Sequence, residues 1–128
     1  MSKKKIIFLS MVIVFAVGYV LLSHLNRQSA IDSTLEWSRL APFPKKVNSF
    51  KIETEGSMFS RAFRISFQAD SDTIQQWLRA SPGIQDASIT IDDGKIRKYE
   101  IKPGGGAQHA EVMLNIQENL VRIYTYWS

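Results

Sequence analysis

The sequence predicts an α+β protein in two parts: an N-terminal transmembrane helix, then a small domain with a mainly antiparallel sheet of about six strands and one helix packed on it. Three observations predict it. Ile6 to Leu25 is an apolar run without Asp, Glu, Lys or Arg. Six later segments alternate apolar and polar residues with the period of a strand. One segment, Thr73 to Ala80, carries an apolar stripe at helical spacing instead.

At about 1.5 Å per residue, the run from Ile6 to Leu25 makes roughly 30 Å of helix, the thickness of a bilayer core. Its polar groups, Ser10, Gly18, Tyr19, Ser23 and His24, are mild. A helix satisfies its own backbone hydrogen bonds, so lipid tolerates it. Lys3, Lys4 and Lys5 precede the run and only Arg27 follows closely. The positive-inside rule therefore places residues 1–5 in the cytoplasm, residues 6–25 in the bilayer and the remainder outside. Two alternatives share the pattern: a cleaved signal peptide and a buried soluble helix. A signal peptide has a shorter apolar region, about 7–15 residues, and ends in a small-x-small site. Gln28-Ser29-Ala30 places Gln where a small residue belongs. A pilin-like assembly helix would carry a Glu near the start of the run, and none is present.

Asn26 to Ser33 is polar and reads as a linker. Ser33 and Glu36 form a capping-box pattern opening a short helix, with Trp37, Leu40 and Ala41 on one face. Pro42 and Pro44 end it, so residues 26–46 read as linker and short helix. Residues 47–128 form the extracytoplasmic domain. Val47 to Thr54 and Ser60 to Ala69 alternate as a hairpin around a turn at Glu55-Gly56-Ser57. Asp70-Ser71-Asp72 supplies N-cap candidates for the helix bearing Ile74, Trp77 and Leu78, which Pro82-Gly83 ends. Ala87 to Ile91 and Lys95 to Lys102 flank Asp93-Gly94, the signal of a two-residue type I′ turn. Ala110 to Ile116 and Leu120 to Trp127 complete the sheet.

Composition excludes several functions. The chain has no cysteine, hence no disulfide and no thiolate metal site. Its net charge of +4 comes from the anchor flanks: Lys3, Lys4, Lys5 and Arg27 are four of sixteen basic residues, leaving twelve against twelve acidic ones. A neutral domain of mixed charge is not a phosphate-tracking surface, so no nucleic acid is expected as a partner. The lipid bilayer is. No cofactor is implied.

Gly104-Gly105-Gly106 leads into a strand without a following Lys-Ser/Thr, which reads as a flexible joint rather than a phosphate loop. Asp92-Asp93 reads as turn chemistry, since no regular oxygen-ligand spacing surrounds it. His109 and Glu111, at i and i+2, share a strand face and offer a general base or two metal ligands; the only other histidine, His24, sits by the membrane. They make an envelope hydrolase the enzymatic alternative, although no nucleophile–base pair is visible. The last strand carries the candidate binding residues Arg122, Tyr124, Tyr126 and Trp127, with Tyr99 nearby. Val121, Ile123 and Thr125 give that strand its apolar face, so Arg122, Tyr124 and Tyr126 point the other way. The bland expectation covers both sheet faces, partly with Trp37 and the Pro42–Pro44 connector. The functional one is a docking surface or shallow ligand site.

Ser81-Pro82-Gly83, Tyr99-Glu100-Ile101-x-Pro103, Gly106-Ala107-x-x-Ala110-Glu111-Val112 and Val121-Arg122-Ile123-Tyr124-x-Tyr126-Trp127-Ser128 resemble short uncharacterised bacterial single-pass envelope proteins, over residues 77–128 and in general layout. The resemblance implies a bacterial inner membrane, with the domain periplasmic or extracellular. It implies no catalytic residue. The expected function is therefore a membrane-anchored binding or interaction module with an envelope protein partner. A hydrolase using His109 and Glu111, or a structural subunit associating through its anchor, are the alternatives.

Overall fold

A computed structural model describes residues 2–128, apart from the side chain of His24. Its first element is one continuous α-helix, α1 (Lys3–Ser38), 36 residues long. Then come β1 (Ser49–Gly56), β2 (Arg61–Gln68), α2 (Ser71–Ala80), the single turn α3 (Pro82–Gln85), β3 (Ser88–Asp92), β4 (Ile96–Glu100), β5 (His109–Asn115) and β6 (Leu120–Trp127). The strands form one six-stranded sheet in the order β1-β2-β6-β5-β4-β3, antiparallel throughout. The fold is the α+β architecture expected, with a long apolar helix ahead of it.

The helix α1 corrects the expected linker. Asn26–Ser33 is helical, and the Ser33/Glu36 pair lies inside α1 rather than at its start. The reason lies in which face of this stretch is buried. Ala30, Thr34 and Ser38 recur every fourth residue and are at most 1% exposed. Small side chains at that spacing let the helix backbone approach the sheet, where α1 crosses β1, β2, β6 and β5. Trp37 reaches past this seam and stacks on Phe63 at 5.4 Å. No part of the apolar window ahead of the seam is buried against the domain, and it is long and apolar enough to cross a membrane.

The helix ends in a Schellman motif rather than by proline alone. Arg39 adopts φ 51°, and the amides of Arg39 and Leu40 donate to the carbonyls of Glu36 and Leu35. A non-glycine there carries strain, which the Arg39 side chain offsets by donating to Lys102 O at 2.9 Å and pairing with Asp86 at 2.5 Å. The next turn docks onto this end. Gly83 N donates to Arg39 O at 2.7 Å. A Cβ on Gly83 would lie 2.0 Å from Ser38 O, so only glycine fits. Pro82-Gly83 therefore opens α3 instead of merely closing α2, because proline suits the first turn of a helix.

The core lies between the helices and one face of the sheet. From α2 come Ile74, Trp77 and Leu78; from the sheet come Phe67, Ile65, Val112, Val121 and Ile123. Phe43 of the proline connector packs edge-on to Phe67 at 5.7 Å and stacks on Trp77 at 6.0 Å. The Trp77 indole donates to Ala41 O at 3.0 Å. Asp70 caps α2 by accepting from Thr73 N at 2.8 Å, as its sequence position suggests.

Two turns differ from expectation. The β1–β2 loop is Ser57–Ser60, starting two residues beyond the expected turn, with Glu55 and Gly56 still in β1. The β3–β4 loop has three residues, Asp93 to Lys95, with only Gly94 at positive φ (83°), so no type I′ turn forms. Asp93 instead accepts from the amides of Lys95 and Ile96. The edge strand β3 is exposed throughout, Ile89 and Ile91 included, because the helices do not extend over it.

The seam contains two buried hydroxyls, Thr34 Oγ1 and Thr125 Oγ1, without a hydrogen-bond partner among the described residues. Thr125→Val should therefore raise stability in urea unfolding, by roughly 1 kcal/mol. Ala30→Leu should lower it by roughly 1–3 kcal/mol, because the seam has no room for the added methylenes. The carboxyls of Asp70, Asp86 and Asp93 are held below the ordinary carboxylate range. The main causes are hydrogen bonds from the Thr73 amide, the Arg39 guanidinium and the Ile96 amide respectively. The folded state thus favours their ionised forms. Their contribution is complete at neutral pH and is lost as pH falls through the depressed folded values. Thermal midpoints measured below about pH 4 should fall with acid, less steeply in Asp86→Asn.

Candidate functional site

All three helices lie against one sheet face. Strand alternation then sends every second side chain to the other face, which nothing in the chain covers among the described residues. Ile65 and Ile123 face the helices, so their neighbours Arg64, Ser66, Arg122 and Tyr124 face outward. In register with them on β5 are Glu111, opposite Tyr124, and Met113, opposite Arg122. Together with Lys51 and Glu53 of β1 these side chains line a shallow concavity of about 710 Å³.

The expectation that both faces are covered is therefore corrected. Trp37 and Phe43 pack on Phe63, Phe50, Phe67 and Trp77, all on the helix side. Their apolar partners lie there, and the opposite face offers mostly charged groups. Of the aromatic candidates, Tyr124 and Tyr126 are half-buried on the open face, with exposed Arg122. Trp127 has the parity of Thr125, and its indole borders Gly106 away from the concavity. Tyr99 is a core residue in register with Val112 on the helix side.

The open face has two electrostatic halves. On one side the Arg64 guanidinium lies 4.8 Å from the centre of the Tyr124 ring and pairs with Glu55. On the other, Glu111 accepts from His109 Nε2 at 2.9 Å and from Lys98 Nζ at 3.4 Å. Lys98 also reaches Glu100 at 3.2 Å. The Lys98 ammonium is pushed up from its ordinary value, first by the Glu100 hydrogen bond and then by the Glu111 charge. It stays cationic, so it is not a neutral amine nucleophile. Between the halves stands Arg122, which makes no ion pair among the described residues.

His109 and Glu111 are thus brought together as their spacing suggests. The contact joins His109 Nε2 to Glu111 Oε1 and leaves Nδ1 pointing away from that carboxylate. The pair holds the imidazole in one orientation. Among the described residues, no group of three or more His, Cys, Asp or Glu side chains comes together to hold a metal ion. The glycine joint folds against α1, with Gly104 N donating to Trp37 O at 2.9 Å, and then enters β5. The Asp93 carboxylate is occupied by the turn it closes, and Asp92 pairs with Arg97 at 3.3 Å.

The sequence reading missed the outward neighbours Arg64, Met113 and Lys98. Arg64 and Lys98 were legible as polar positions of alternating strands. What places them beside Tyr124 is the strand order, which puts β6 at the centre between β2 and β5. No family model, curated protein or solved structure matches the chain.

Proposed function

We propose that the chain is a single-pass binding module of the bacterial envelope, its domain displayed outside the cytoplasm and its open sheet face docking a protein partner. The observation that carries this reading is the one-sided cover of the sheet. Three helices protect one face, while the other presents a concave surface centred on Arg122 and Tyr124. Arginine, tyrosine and methionine are enriched at contact surfaces: arginine and tyrosine offer large contact area with hydrogen-bonding tips, and methionine an adaptable apolar one. Arg122, unpaired between Ser66 and Met113, calls for a carboxylate from the partner. Lys3–Lys5 support a cytoplasmic N-terminus, and the resemblance over residues 77–128 supports the envelope.

A second reading is a hydrolase based on the His109–Glu111 pair, supported by its 2.9 Å hydrogen bond. Its general base would be His109 Nδ1. The two readings separate by substitution: His109→Gln removes the base and leaves Arg122 and Tyr124 in place.

The test is site-specific photo-crosslinking of the full chain in bacterial membranes. A photoreactive residue at Tyr124 should give a discrete adduct that the same residue at Asp72, on the helix side, does not give. Arg122→Glu should weaken the adduct, with a loss of roughly 2 kcal/mol or about thirtyfold in affinity, and unchanged thermal stability. Identical adducts from positions 124 and 72, or an adduct indifferent to Arg122→Glu, would contradict the reading.

A further inference from the structure

The two most exposed large apolar side chains beyond the anchor are neighbours: Met58 at 87% and Phe59 at 77%. They form the tip of the β1–β2 hairpin. From their place beside α1, we infer that this tip is a second lipid contact, dipping into the headgroup boundary next to the anchor.

The helix α1 sets the height of the hairpin. Its apolar run ends at Leu25. Asn26 and Ser29, the first turn beyond it, line one recess together with Gly56 and Arg61. Those two are the closing pair of the hairpin, opposite each other in register. The closing pair therefore stands level with the water boundary of the bilayer. Met58 and Phe59 lie two residues further on, so they stay within roughly 7 Å of that level whichever way the tip leans. The headgroup layer is about 6 Å thick on each side, and apolar interfacial side chains sink about 5–10 Å into it. Ile89 and Ile91, the next most exposed, sit on the opposite edge of the sheet, away from the anchor. The inference rests on α1 spanning the bilayer and is independent of any partner on the open face.

The tip is also built to keep its backbone away from lipid. Ser57 N donates to Ser60 O at 3.1 Å, and Phe59 N donates to Ser57 Oγ at 3.3 Å. The Arg61 guanidinium donates to the carbonyls of Ser57 and Ser60. A Cβ on Gly56 would lie 2.5 Å from Ser60 O, so this tight closure needs glycine. Polar side chains thus face inward to the loop's own amides and carbonyls, while the two apolar ones point out. That arrangement suits a medium poor in water. At the other end of β1, the Arg27 guanidinium lies 5.4 Å from the centre of the Phe50 ring, a cation within two residues of the end of the apolar run.

The absence of cysteine allows a direct test by single labels. Met58→Cys, Phe59→Cys, Ala16→Cys and Lys95→Cys are each spin-labelled in the full chain. Each is reconstituted in phosphatidylethanolamine–phosphatidylglycerol vesicles. Accessibility to oxygen is then compared with accessibility to a water-soluble nickel chelate. Labels at 58 and 59 should shift toward oxygen relative to 95, reaching values between 95 and 16. If 58 and 59 match 95 while 16 reports lipid, the hairpin contact is wrong and the anchor stands. If 16 also matches 95, the anchor fails and takes this inference with it. Dipolar broadening between labels at 59, in place of the oxygen shift, would mean that the tip meets a second copy and would overturn the lipid contact.

Discussion

Ala30, Thr34 and Ser38 lie one turn apart on α1 and press the helix backbone onto β6 and its neighbours. Everything distinctive about this molecule follows from that close approach. A larger residue at any of the three would hold the helix off the sheet, expose Phe63 and unseat Trp37 from its stack. Because the seam begins within five residues of the end of the apolar run, no slack separates that run from the domain. The same helix carries two kinds of surface. Its first part is exposed, with large apolar groups on all sides, and is long and apolar enough to cross a membrane. Its last part meets a sheet through a narrow stripe of small ones.

A rigid joint of this kind gives the domain a defined posture. The helix enters from the β1 side of the sheet and ends at the β4–β5 loop, where Arg39, Gly83 and Gly104 lock its C-terminus. The β1 edge and its hairpin are thereby held beside the end of the apolar run, and the strands beyond follow in the order β2, β6, β5, β4 and β3. The open face is left uncovered among the described residues.

The strands and α2 were legible in sequence because period-two and helical patterns coincide there with one buried face: Phe63, Ile65 and Phe67 on one strand, Ile74, Trp77 and Leu78 on the helix. The continuity of α1 was not. Its packing stripe is Ala30, Thr34 and Ser38, small residues that a search for large apolar ones passes over; Ala30 falls in the stretch read as polar linker, and Thr34 and Ser38 in the short helix expected after it. The Ser33/Glu36 pattern then reinforced the error, since a capping box has the same residues whether or not a helix already runs through it. Arg39 at a left-handed C-cap escaped for a related reason: its strain is offset by Asp86 and the Lys102 carbonyl, partners distant in sequence. The side to which Tyr124 and Arg122 point was legible from alternation. Their company was not, because Arg64, Met113 and Glu111 join them only through the order β2-β6-β5.

The claim on which all of this stands is that Asn26 to Ser33 is helix, rigidly joining the two halves. Amide hydrogen exchange of the full chain in lipid bilayers tests it most directly. A stiff joint predicts slow exchange running unbroken from the membrane segment through these eight amides to Trp37. Rapid exchange across Asn26 to Ser33, between two protected segments, would show a flexible tether and contradict it.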